Sequence, residues 1–207
     1  MFYDTEKNNH GLTVDPFKSC IIPRPIGWIS SLNKDGIVNL APYSYFNAVS
    51  DTPPMVIFST TSKHRDSGFK DTLKNVEETK EFVVNIATWE LREEMNITSA
   101  EIDRRLSEVD LANLETLPSF FVKPPRVKMS PIHLECVHYQ SIQLPTNDDN
   151  HTNRIVIAHV VGIHIDDEII VDGKIDVIKF KPIARLGYKE YATIDNKFSM
   201  ERPANNS

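Results

Sequence analysis

Four hydroxyl side chains in a row, Ser59-Thr60-Thr61-Ser62, leave a buried-strand pattern and run into Lys63, His64 and Arg65. Hydroxyls, backbone N–H groups and one or two cations are what a phosphate monoester asks of its site. Shortly after, Lys70-Asp71-Thr72 opens a predicted helix, and a helix N-terminus is itself favourable to anions. No Gly-x-x-x-x-Gly-Lys loop is present, so a Walker-type phosphate cradle is excluded. Taken alone, the run also reads as a polar turn after a strand, with Lys70 and Thr72 as surface and capping residues.

A second cluster precedes it. Pro42-Tyr43-Ser44-Tyr45-Phe46-Asn47 sets hydroxyls, an amide and three aromatic rings where a flat, half-polar ligand can lie. Ser44 and Asn47 can hydrogen-bond the polar edge of such a ligand, and Tyr45 or Phe46 can wall one face. The plainer alternative makes the aromatics core and the polar groups closers of a turn.

Other chemistry-bearing residues point elsewhere. His133 and His138, like His159 and His164, are five apart on predicted strands, so within each pair they face opposite sides of a regular strand. That disfavours a metal pair, and no metal is expected. Asp148-Asp149-Asn150 lacks the spaced ligands of a calcium loop. Cys20 and Cys136 form no Cys-x-x-Cys and read as small buried hydrophobes. Glu135 reads as a paired core carboxylate, and Glu93-Glu94 and Asp103-Arg104-Arg105 as solvated helix faces. No Gly-x-Ser-x-Gly elbow or hydrolase triad is visible, so no catalytic side chain is assigned.

The elements that must position these residues are mainly strands. Apolar or β-branched runs bounded by turn residues predict strands at Gly27–Leu32, Ile37–Leu40, Met55–Thr60 and Glu81–Ala87. Asp35-Gly36 signals a hairpin between the first two, and Pro53-Pro54 imposes extended chain before the third. Leu73 and Val76 give a helix near Lys70–Thr79 an apolar stripe. Trp89–Pro118 then turns polar and helix-prone, with a capped start at Ser99–Ile102, and reads as a helical excursion covering one end of the barrel. His133–Leu144 and Asn153–Ile165 are long strands, the first with room for a bulge, the second with Gly162 at a bend. Many strands with few helices predict an antiparallel barrel, though periodicity does not separate a barrel from a sandwich.

The chain has 207 residues, 40% hydrophobic and 25% charged, with net charge −6 and pI ≈ 5.6. It is long enough to bury one complete core, and the charge argues against general nucleic-acid binding. The start lacks a secretory pattern, and no apolar run reaches the ~20 residues of a membrane helix. A cytoplasmic location, away from membranes, is the expectation.

The ordered pieces PRPIGWISS, NLAPYSYFNAVS, TPPMVIFSTT, KDTLKNVEETKEFVVNIAT, LECVHYQSIQL and FKPIARLGYKEYA resemble the flavin reductase-like family with an FMN-binding split barrel, the group that includes flavoredoxin. The resemblance implies a mainly β split barrel of Greek-key type with a few helices, including the excursion at 89–118. It implies one domain over 1–207, with its core at about 15–192 and a frayed tail. It implies a homodimer with flavin at the interface, FMN as cofactor with FAD as the alternative, and NAD(P)H as electron donor. The implied activity is hydride transfer to flavin N5, with a small-molecule substrate and a partner oxygenase among possible users. An electron carrier with little NAD(P)H activity of its own stays open beside it. By the same resemblance, the segment holding Asn39, Pro42, Tyr43, Ser44, Tyr45 and Asn47 lies along the ring. Ser59, Thr60, Thr61, Ser62 and Lys63 receive the phosphate, helped by Lys70, Asp71 and Thr72, and Arg185 approaches the flavin. Relatives carry Gly-Gly where this chain has Gly187-Tyr188, so Tyr188 is expected to narrow the pocket. Arg24 matches the family's start, where a structural role is open to it.

Overall fold

The computed structural model describes residues 1–64, 68–149 and 151–203. Seven strands form the main sheet: β1 (Gly27–Leu32), β2 (Val38–Tyr43), β3 (Phe46–Asp51), β4 (Pro54–Thr60), β5 (Glu81–Ile86), β6 (Ile132–Gln143) and β7 (Arg154–Ile165). Their order is β2-β1-β5-β6-β7-β4-β3, every neighbour antiparallel. The two edge strands, β2 and β3, are consecutive in the chain and joined through Ser44-Tyr45. Among the described residues they do not pair, so the barrel is split between them. One apolar cluster draws Ile29, Val56, Phe58, Phe82, Val84, Cys136, Val156 and Ala158 from five strands, which requires the sheet to curl around it.

Local chemistry explains the joints. Asn33 Oδ1 accepts from the N–H groups of Asp35 (2.9 Å) and Ile37 (2.8 Å), and Gly36 takes φ +82°, which closes the β1–β2 hairpin that Asp-Gly predicts. The segment after Leu40, read from sequence as a polar aromatic stretch between strands, is instead strand up to Tyr43 and again from Phe46. Phe46 packs on the core and against β1: a Cβ at Gly27 would lie 2.7 Å from its ring. Helix α1 (Asp71–Thr79) buries Leu73 and Val76 in the same cluster and ends at Lys80, whose left-handed φ of +67° lets its N–H reach the Val76 carbonyl.

β1 is buried on both faces. Ile29 enters the barrel core, while Trp28 joins a second cluster with Leu40, Leu91, Met95 and Val109. That second cluster sits beneath the excursion, which holds two short helices, α2 (Arg92–Ile97) and α3 (Glu108–Leu111). The helix start expected at Ser99–Ile102 does not form. The hydroxyls of Thr98 and Ser99 bond back to the carbonyls of Met95 (2.8 Å) and Asn96 (2.6 Å), which ends α2 there and leaves 99–102 irregular.

The long β6–β7 pair carries two register shifts, leaving Tyr139 and Val161 without cross-strand partners. Val161 lies between His159 and His164, so the regular alternation assumed for that pair does not hold. His164 instead faces His133 across the strands, with ring centroids 6.0 Å apart. Among the described residues no group of three or more His, Cys, Asp or Glu could hold a metal ion. Cys136 is buried as expected, but Cys20 is exposed, because its short helix (Phe17–Cys20) buries no residue. Short strands Arg24–Pro25, Ile183–Arg185 and Tyr191–Thr193 form a separate sheet that brings Arg185 toward the split. No helix among the described residues is long and apolar enough to cross a membrane.

Candidate functional site

The split opens on a cavity of about 990 Å³. Asn39, Pro42, Tyr43, Ser44 and Tyr45 line it from β2 and the following turn. Ser59, Thr60, Thr61 and Ser62 line it from the end of β4, Lys70, Asp71 and Thr72 from the start of α1, and Arg185 from the small sheet. Distant stretches of sequence thus meet because β2 and β4 end on the same side, a junction held by the Ser59 N–H donating to the Tyr45 carbonyl at 2.8 Å.

Two expected members lie elsewhere. Asn47 is already on β3, paired with Ile57, exposed, and accepting the Ala48 N–H at 3.0 Å. Lys63 does not line the cavity, and its Nζ donates to the Asp149 carbonyl. Arg65 lies outside the described residues. Of the two candidate ring walls, Tyr45 lines the cavity and Phe46 does not.

Within the cavity the side chains are not equally available. Thr60 is buried, and among the described residues its hydroxyl has no hydrogen-bond partner. Asn39 is committed: its Nδ2 donates to Glu108 Oε1 (3.0 Å), and its Oδ1 accepts from the Thr72 hydroxyl (2.6 Å). Glu108 Oε2 accepts the Leu40 N–H at 3.0 Å, and burial pushes this carboxyl above the ordinary range. Tyr43 packs its ring 5.2 Å from Phe58, and burial raises its phenol well above the usual value, against the hydrogen bond with Thr72. The charged groups at the far end are mutually paired. Lys70 Nζ lies 3.0 Å from Glu101 Oε2, and Arg104 contacts Asp71 and donates to the Phe69 carbonyl at 2.7 Å. His64, nearly fully buried, contacts the Ile102 carbonyl through Nε2 at 3.1 Å.

Arg24 lines the cavity and also has a structural role. Its guanidinium donates to the carbonyls of Lys18, Ile21 (2.7 Å) and Leu186 (2.9 Å), tying the N-terminal segment to the C-terminal one. Gly187 is required beside it, since a Cβ there would lie 1.9 Å from Ser19 Oγ. Tyr188 lines the cavity at φ +54°, a region that favours glycine. Arg185 donates to the Tyr191 hydroxyl and the Tyr188 carbonyl, with its guanidinium 4.4 Å over the Tyr191 ring. A smaller recess of about 500 Å³ shares Pro42, Ser44, Ser99 and Arg185 with the main cavity and adds Met95, Lys189 and Tyr191.

Sequence reasoning read the excursion as a cover but named none of its lining residues, Thr98 to Ile102 and Glu108, and it missed Tyr3, Asp15 and Lys18 from the N-terminal segment. The abrupt change to a charged pattern after Trp89 is the one signal that pointed there. The N-terminal residues carry no periodicity to read.

Comparison with known proteins gives a consistent frame. The family described as flavin reductase like domain matches residues 19–176. An uncharacterized protein of Aquifex aeolicus is 40% identical over 172 residues, covering 83% of this chain and 84% of that protein. Nitrilotriacetate monooxygenase component B from Bacillus cereus superposes with a TM-score of 0.84 at 34% identity, over 93% of this chain and 96% of its own. A Shewanella frigidimarina structure with a split barrel domain has a TM-score of 0.82 at 22% identity, over 99% and 100%, a likeness of fold alone.

Proposed function

Because this chain belongs to the flavin reductase like domain family, we propose that it is an FMN-binding oxidoreductase that takes electrons from NAD(P)H. The observation that carries this reading is the Thr60 hydroxyl: buried, without a hydrogen-bond partner among the described residues, and on a cavity wall between Ser59, Thr61, Ser62 and the start of α1. A buried hydroxyl without a partner is costly unless a ligand satisfies it, and a phosphate oxygen does so. The residues present therefore fit a flavin mononucleotide, and the cavity volume is ample for one.

Bound FMN would supply the redox chemistry, accepting at N5 the hydride that NAD(P)H loses on oxidation and passing the electrons on. The chain's own work is binding, orientation and exclusion of water. The Ser59–Ser62 hydroxyls and Lys70 hold the phosphate. Ser44 offers a polar edge contact and Tyr45 a wall for the ring. Arg185 and Lys189, in the smaller recess, supply positive charge for the diphosphate of the nicotinamide donor. No side-chain acid, base or nucleophile is assigned, because hydride transfer between two bound rings needs none.

The family resemblance also supports a homodimer, with flavin between its subunits. Similarity to a monooxygenase component supports a partner oxygenase as one user of the reduced flavin. The second reading is an electron carrier with little NAD(P)H activity, favoured by the bulky Tyr188 on the cavity wall.

Titrating FMN and following absorption from about 300 to 550 nm tests the site. Saturable binding with shifted bands is expected, followed by NAD(P)H-dependent bleaching. Binding without bleaching selects the carrier, and no binding of FMN or FAD overturns the function.

A further inference from the structure

One aromatic side chain on the cavity wall sits on a backbone that does not suit it. Six residues other than glycine take positive φ among the described residues, and five have an ordinary reason. Asn8, Asn113 and Asp172 are types that tolerate this region, and Lys80 and Lys181 end helices, their N–H groups reaching back to Val76 and Val177. Tyr188, at φ +54°, is the exception.

Tyr188 and Lys189 are the central residues of a hairpin turn. The Glu190 N–H donates to the Gly187 carbonyl and the Leu186 N–H to the Glu190 carbonyl, each at 3.0 Å. The first central position of such a turn, when its φ is positive, is the usual place for glycine. A tyrosine there strains the backbone, and the fold gains little from it. Its side chain is 48% exposed and, among the described residues, makes no hydrogen bond and no contact with another ring or a cation. Tyr191 differs: its ring lies under the Arg185 guanidinium, which also donates to its hydroxyl. Arg185 donates as well to the Tyr188 carbonyl, which fixes the turn.

The charge around the turn points to what the free ring meets. The N-terminal segment and the small sheet line the cavity and the recess with Lys18, Arg24, Arg185 and Lys189, against one acid, Asp15, among the described residues. Gly187 packs on Ser19, which brings the turn beside Lys18. An exposed aromatic face among cations suits a ligand that joins a flat ring to phosphates.

We propose that Tyr188 is a specificity-determining residue for the electron donor: its ring stacks on the adenine of a nicotinamide adenine dinucleotide whose diphosphate lies against Arg185 and Lys189. This rests on the NAD(P)H reading above. Tyr188 then acts on donor binding and leaves both the redox step and the flavin phosphate wall alone.

The test compares FMN-loaded wild type, Tyr188→Gly and Tyr188→Phe. Steady-state reduction is followed with NAD(P)H and with reduced nicotinamide mononucleotide, which lacks the adenosine, and binding of adenosine diphosphate is followed by calorimetry. Tyr188→Gly should raise the KM for NAD(P)H and the dissociation constant of adenosine diphosphate by about fivefold to a hundredfold, with kcat within about twofold. Tyr188→Phe keeps the ring face and should stay within about twofold of wild type in both. The KM for the mononucleotide should be the same in all three proteins. Glycine relieves the strain at a positive φ, so the thermal midpoint of Tyr188→Gly should be no lower than that of wild type. If Tyr188→Gly leaves NAD(P)H and adenosine diphosphate unchanged, or shifts both donors alike, stacking is overturned. A KM that falls for both donors would make the ring an obstruction and favour the carrier reading. If wild type is reduced by neither donor and binds no adenosine diphosphate, the NAD(P)H reading falls and this inference with it.

Discussion

The barrel and the segments that cover it satisfy their backbones in opposite ways. In the barrel, β1, β5 and β6 pair strand to strand in an unbroken register from Gly27 to Val137. In the cover, buried polar side chains do the work of missing strands. Glu135, fully buried on β6, accepts the N–H groups of Phe120 (2.8 Å), Phe121 (2.6 Å) and Val122 (3.2 Å), and also bonds His164. Asn85 on β5 accepts the Val127 N–H at 2.8 Å, and His133 contacts the Val127 carbonyl at 2.8 Å. Trp28 reaches Thr98, and Glu108 returns from the cover to Leu40. A ladder spreads its load over many bonds, so single changes are tolerated. A cover held by a few buried polar groups depends on each one, because every loss orphans several donors.

That contrast can be broken first at Glu135. Glu135→Leu leaves three N–H groups and His164 unpaired in a buried place, and should cost about 3–5 kcal/mol in urea unfolding. Burial pushes the Glu135 carboxyl upward, but the His164 and backbone hydrogen bonds outweigh it and hold the group below the ordinary range, so the loss is that of a charged acceptor. A loss below about 1 kcal/mol would show that the cover holds itself.

His133 gives a pH test of the same wall. Burial lowers its imidazole to about 4, opposed by the hydrogen bond to Val127, with Arg126 and His164 lowering it and Glu135 raising it. Its folded pKa lies below the unfolded value, so the unfolded chain takes up the proton first as pH falls. Its contribution is present above about 6.5 and lost as pH drops toward 4, by about 2–3 kcal/mol. His133→Gln should flatten that part of the pH–stability curve, and an unchanged slope would assign it to other groups.

The site itself should follow the barrel wall. Thr60→Ala with Lys70→Ala should weaken FMN by about 2 kcal/mol or more, leaving riboflavin nearly unchanged. Equal losses for both ligands would mean damage to the fold. The smallest effect is expected at Lys63, which reaches the Asp149 carbonyl and not the cavity. Lys63→Ala should leave the FMN dissociation constant within about twofold; a larger loss would place that side chain in the site after all.

Sequence alone determined the parts governed by neighbours along the chain. Apolar runs and turn residues located β1, β4 and β5 to within a residue or so, and Leu73 and Val76 located α1, because these patterns express local backbone preference and burial. The hydroxyl run at Ser59–Ser62, which lines the cavity, was legible for the same reason: its residues are contiguous. Tertiary structure alone decided which of those groups remain available. Thr60 and Asn39 look alike as candidates, yet Glu108, distant in sequence, consumes the Asn39 amide and Thr72 its carbonyl oxygen, and no period links them. Lys63 and Lys70 are equally cationic, but the direction in which the chain leaves β4 sends one to Asp149 and the other to the cavity. The pairing of Glu101 with Lys70 likewise arises only when the segment after α2 meets the start of α1. Residue type sets what a group can do, and the partners that folding brings set whether it is still available to do it.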